Sequence, residues 1–184
     1  IAQSVQPGSD TAAVVRARAL LSERLGNTPP DAERGAVARS LGRLPHESPD
    51  SAAATAERIA HAVRSETPST CAPNVRRSAS LDSASVGLMY GAMHGLYSVA
   101  RRIRRLPCSA GSVARAAIAY RRGAAGTDST VWVRELAVLA LVAANEASND
   151  VLDDVARDAD PRVRRLAMRM TRDTAASVRR LSTG

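Results

Sequence analysis

The stretch Asp158–Met170, DADPRVRRLAMRM, decides how this chain folds. An acidic residue ahead of a proline marks a helix start. The Asp caps free N–H groups and complements the positive helix end, and Pro161 fits the first turn, where its missing N–H costs nothing. Val163, Leu166, Ala167 and Met170 then follow the 0, 3, 4, 7 spacing of one buried face. Ala167 within that face lets a second helix come close. Arg164 sits beside it, where its stem packs and its head is expected to reach an acid in the next unit.

The phrase has a copy thirty residues earlier, where WVRELAVLA (132–140) aligns on RVRRLAMRM (162–170). Val133 meets Val163, Arg134 meets Arg164, Leu136 meets Leu166, Ala137 meets Ala167, and Asp128 meets Asp158. VRARA (15–19) and VRRLS (178–182) echo it, and PDAERGAVARSLGRL (30–44) shares its cadence. Self-similarity at a fixed spacing is the mark of stacked helical units.

This phrase resembles HEAT and HEAT-like (armadillo-related) repeats, in which D-x-D-P-x-V-R-x-x-A opens the second helix of a two-helix unit. DADPRVRRLA (158–167) matches closely, and DSTVWVRELA (128–137) matches without the proline. The likeness covers 128–171 well, 10–65 loosely and 66–127 hardly at all. It implies an all-α fold, an alpha-alpha superhelix built as a short solenoid of antiparallel helix pairs, with an irregular helical bundle as the alternative. It also implies structural roles for Asp128, Val133, Arg134, Ala137, Asp158, Asp160, Val163, Arg164 and Ala167, with Asp160, Arg134 and Arg164 forming caps and inter-repeat ladders.

Outward from this core, the rest of the chain also reads as helices. They are expected from Ser9 or Asp10 to Leu25, Pro30 to Leu44, and about Ser48 to Ser65. More follow from Asp82 to Leu106, Gly111 to Arg122, Asp128 to Glu146, Asn149 to Arg157 and Pro161 to Thr171. No strand pattern is found. The chain therefore divides into N-terminal helices (1–65), a Pro- and Ser-rich linker (66–80) and C-terminal helices (81–184). GLMYGAMHG places Gly87, Gly91 and Gly95 on one helix face. Glycines there cost about 1 kcal/mol each against alanine, so a close helix crossing is expected.

Composition narrows the partners. All 26 basic residues are Arg, Phe is absent, and the net charge is +8. Heavy Ala and Arg usage without Lys points to a GC-rich genome. Between Asp82 and Asp128 there is no acid but seven arginines: Arg101, Arg102, Arg104, Arg105, Arg115, Arg121 and Arg122. A second basic block includes Arg162, Arg165 and Arg169. These are the candidate binding surface, since Arg grips phosphates and carboxylates bidentately; cations ending a helix also complement its dipole.

Other chemistry finds little support. The aspartates of DDVARDAD fit a helix start better than a metal site, and His46, His61 and His94 lack metal-ligand spacing. No nucleophile–base pair is readable, and without Lys a Walker A loop is excluded. No catalytic residue, metal or cofactor is therefore assigned. HEAT-like DNA glycosylases for alkylated bases cradle the lesion with aromatics and an Asp; Trp132 stands alone and is expected to pack between repeats.

The reading is a non-enzymatic scaffold that binds a protein partner. Nucleic-acid binding through the arginine blocks is the alternative, and a glycosylase is a more distant one. No run of eighteen apolar residues exists to span a membrane. The cytoplasm is the expected compartment, although the start at Ile1 leaves a removed leader open. Cys71 and Cys108 read either as two thiols or as one disulfide.

Overall fold

A computed structural model describes residues 11–27, 29–63, 81, 84–120 and 128–182, without the side chains of 128–129 and 173–182. The regular secondary structure of the described residues is all helix, with no strand among them. The helices are α1 (Thr11–Gly26), α2 (Asp31–Arg43), α3 (Pro49–Val63), α4 (Val86–Ala100), α5 (Cys108–Ile118), α6 (Asp128–Ala143), α7 (Asn149–Ala156) and α8 (Pro161–Ser182).

Local chemistry sets most of the boundaries. Ser48 Oγ accepts from Ser51 N–H (3.1 Å), Ser85 Oγ from Leu88 N–H (3.2 Å) and Asp160 Oδ1 from Arg162 N–H (2.8 Å), which caps α3, α4 and α8. Pro30 and Pro107 precede α2 and α5. Asn145 takes a positive φ of 55° after α6. Glu146 N–H then bonds Leu141 O (2.8 Å) and Asn145 N–H bonds Val142 O (3.0 Å), a Schellman closure that stops the helix at Ala143 rather than Glu146.

Three expected elements are corrected. The helix expected from Asp82 to Leu106 spans only Val86–Ala100. Ser85 is its cap, and beyond Ala100 the chain turns so that Ile103 and Leu106 are buried. The fifth helix begins at Cys108, directly behind Pro107, rather than at Gly111. The last helix runs unbroken to Ser182, well past Thr171. The linker 66–80, Asp82, Arg121, Arg122 and the turn at 123–126 lie outside the described residues.

The even helices lie side by side in the order α2–α4–α6–α8, α1, α3 and α5 contact one another in the same way, and each odd helix packs on the even one after it. Helices α2 and α4 run parallel. Gly35 of α2 lies against Gly87 and Gly91 of α4, and Gly42 against Gly95. One apolar core runs from Leu25 through α2–α6 to Ala144 and includes Val133 and Ala137. A smaller cluster of Val131, Val138, Val155, Val163 and Ala167 joins α6 to α7 and α8. Cys108 is disulfide-bonded; the chain's other cysteine, Cys71, lies outside the described residues. No helix is long and apolar enough to cross a membrane among the described residues.

Candidate functional site

Polar groups stitch the N-terminal ends of the even helices together. Ser85 N–H donates to Asp31 Oδ2 (3.0 Å), which joins α4 to α2 and is the main reason the Asp31 carboxyl is held below its ordinary range. Tyr120 OH donates to Ala84 O (2.8 Å), and Arg134 of α6 reaches Tyr120 O (3.4 Å). Arg134 then meets Asp158, ahead of α8: Nη2 donates to Oδ1 (3.1 Å) and Nε lies 2.9 Å from Oδ2. Both side chains are buried. Asp158 Oδ1 also accepts from Asp160 N–H (2.8 Å), setting the turn that Asp160 caps.

Arg164 behaves differently from the expectation. Its Nη1 donates to the carbonyls of Asp158 (2.6 Å) and Ala159 (2.7 Å) just ahead of its own helix, so Arg134 rather than Arg164 reaches an acid on another element. Val133 and Val163 are fully buried, as are Ala137 and Ala167. Asp128 begins α6.

The C-terminal ends carry cations. Arg102 donates to the carbonyls of Leu44 and Arg43 (3.4 Å for the latter), satisfying the end of α2. Burial, then the charge of Arg101, lowers its pKa. Arg101 lies over the Tyr97 ring, 5.9 Å from its centroid. Arg43, Ser98, Arg101 and Arg102 line an open cleft of about 340 Å³. Arg104 and Arg105 are exposed between buried Ile103 and Leu106. Arg115 instead pairs with Glu146 (3.1 Å), which also accepts from Leu106 N–H (2.8 Å).

An outward face carries Arg39 and Arg43 of α2, Tyr90, His94 and Tyr97 at helical spacing on α4, and Arg101 just past its end. Tyr90 and His94 meet edge to face at 6.2 Å. Burial, then Arg39 and Arg43, lowers the His94 pKa, which places both arginines beside it. On α6 the same face carries Trp132, Glu135 and Leu139. Trp132 is 50% exposed and does not pack between repeats, because position 132 points away from both neighbouring helices. Burial raises the Glu135 pKa, against the pull of Arg162. On α8, Arg165, Met168 and Arg169 are exposed, while Arg162 Nε lies 3.5 Å from Asp160.

The sequence signalled Arg101, Arg162, Arg165 and Arg169 of this surface but not Arg39 and Arg43, its aromatic members, or the ladder residues Asp31, Ser85 and Tyr120. Among the described residues no cluster of His, Cys, Asp or Glu could hold a metal ion. Comparison with known proteins found no matching protein family, no matching curated sequence and no matching solved structure.

Proposed function

We propose that this chain is a short α-solenoid of HEAT-like character, a non-enzymatic scaffold that holds an acidic protein segment against the outward face of its even helices. The solenoid reading is supported by parallel neighbours such as α2 and α4. Parallel packing needs a returning helix between them, and α3 supplies it. Sequential neighbours in an up-and-down bundle would alternate in direction.

The observation that carries the functional reading is the composition of that face. Tyr90, Tyr97 and Trp132 stand there with Arg43, Arg101, Arg165 and Arg169. Trp, Tyr and Arg are the side chains on which protein interfaces concentrate their energy. A nucleic-acid track fits less well. Glu135 and Asp160 interrupt the cations between α4 and α8, and Arg115, Arg134, Arg162 and Arg164 already serve carbonyls or carboxylates of the fold. For the compartment, the bonded Cys108 favours an oxidising environment over the cytoplasm.

Peptide display against the folded protein tests this reading. Selected peptides should be acidic with an apolar anchor, and Tyr97→Ala or Trp132→Ala should weaken them about tenfold or more. Two results overturn it. One is binding to DNA or RNA, with no peptide selected, that falls about a thousandfold or more between about 50 and about 200 mM salt. The other is release of a modified base from alkylated DNA.

A further inference from the structure

We propose that the cleft between the C-terminal ends of α2 and α4 is a binding site for a phosphate monoester borne on a side chain of the partner. The carrier rests on the protein-partner reading above; the anion site stands on its own geometry.

Three arginines converge on this cleft of about 340 Å³. Arg102 is fixed by the α2 carbonyls it caps, and Arg101 by the Tyr97 ring beneath it. Two of the three guanidinium groups are thus positioned before a ligand arrives, which lowers the ordering cost of binding. Arg43 has no acidic partner among the described residues. The helix C-terminal dipoles favour Arg43, at the end of α2, and Arg101, capping α4, but no carboxylate among the described residues neutralises either. Arg39 stands one turn back on α2, adding to the positive field.

A compact dianion suits this arrangement. Guanidinium forks match phosphate oxygens bidentately, and three cations in one concave site exceed what a single carboxylate would balance. A phosphodiester backbone would need cations continuing across α6, where Glu135 stands. A single phosphate group needs only the cleft.

The test uses inorganic phosphate and a heptapeptide with one phosphoserine among acidic residues, followed by amide NMR of the intact protein. Saturable shifts are expected at Arg43, Ser98, Arg101 and Arg102. Arg43→Gln and Arg101→Gln, both at exposed positions, should each weaken phosphate binding about tenfold, with an unchanged melting curve. Arg157→Gln, exposed beyond the end of α7 and outside this face, should bind as the parent does. The phosphopeptide should bind more tightly than phosphate and than its serine counterpart.

Phosphate shifts that do not saturate, or that survive in Arg43→Gln and Arg101→Gln, overturn the site. Equal affinity for the phosphopeptide and its serine counterpart, or tighter binding of single-stranded DNA through the same arginines, overturns the carrier. If the serine peptide still loses affinity on Trp132→Ala in that case, the scaffold reading survives without the phosphate site.

Discussion

The joints α2–α4 and α6–α8 hold neighbouring helices in place by opposite means. At α2–α4 the side chains have been removed. A methyl group built on Gly35, Gly42, Gly91 or Gly95 would fall less than 3.0 Å from backbone of the facing helix. The Gly91 hydrogen it would replace points at Gly35 O, and Gly42 approaches Gly95 in the same way, a geometry suited to Cα–H···O contacts. At α6–α8 the side chains stay, and a small valine–alanine cluster is supplemented by the buried Arg134–Asp158 pair. Close backbone approach fixes spacing through shape and tolerates no added atoms. A buried ion pair fixes register through charge and tolerates no missing partner. The difference teaches that one packing pattern can rest on two unlike sensitivities, and substitutions should separate them.

The largest effect is expected at the glycine joint. Gly91→Val should cost more than about 5 kcal/mol, because the facing atoms are backbone and cannot rotate away. Chemical denaturation should show loss of the cooperative transition involving α2 and α4. A variant that melts within about 1 kcal/mol of the parent would mean the helices are farther apart than described.

Next comes the ion pair. Arg134→Met removes the buried cation that faces Asp158 and should cost about 3–5 kcal/mol, as should Asp158→Leu. The double variant Arg134→Met/Asp158→Leu should recover most of that loss, since neither charge then remains to be desolvated. Additive single losses in the double-mutant cycle would show that the pair is not coupled. The comparison sharpens here: no second substitution that adds atoms should rescue Gly91→Val.

These joints were unequally legible in the sequence. The 0, 3, 4, 7 spacing announced the buried faces of α6 and α8, and the Gly87–Gly91–Gly95 spacing announced a close crossing. Their partners Gly35 and Gly42 went unnoticed, because glycines seven apart in α2 look like isolated helix weak points until a facing helix is known. The Arg134–Asp158 pair was half legible. The repeat marked both positions, but an arginine beside a turn can satisfy local carbonyls, as Arg164 does, or reach across, as Arg134 does; only the turn's path decides. Trp132 was misplaced for a related reason. A helix as apolar as α6 hides its outward stripe, which Trp132, Glu135 and Leu139 share only once α4 and α8 occupy its flanks.

A smaller effect lies where α2 meets the arginine cleft. Burial, then Arg18 and Arg102, lowers the His46 pKa from 6.5 to about 4. The unfolded chain therefore binds a proton that the folded chain refuses between those values, and stability falls as pH drops from about 6.5 toward 4. The loss should reach about 1 kcal/mol once solvent screening of this partly exposed ring is allowed for. Melting temperatures measured across that window should decline less steeply in His46→Asn, while a parallel decline in both proteins would assign the acid sensitivity to other groups. Substitution at Gly91 should not alter the slope, which separates charge at the open end of α2 from shape along its length.

The smallest effect is also the closest control for the first. Gly87 shares a face with Gly91, one turn away, yet a methyl added there comes no nearer than 4.0 Å to Ala32 Cα. Its backbone lies within an α-helix, so alanine fits its conformation. Gly87→Ala should thus stabilise the protein by about 0.5–1 kcal/mol, because it restricts the unfolded chain and removes the helix penalty without touching α2. Gly91→Ala should destabilise, although the two substitutions are chemically identical and four residues apart. Opposite signs in paired thermal melts would place the closest approach of α2 and α4 at Gly91. Destabilisation by both would show that the seam extends a full turn further toward the start of α4, and a gain from both would dissolve the seam as the feature that distinguishes this joint from the other.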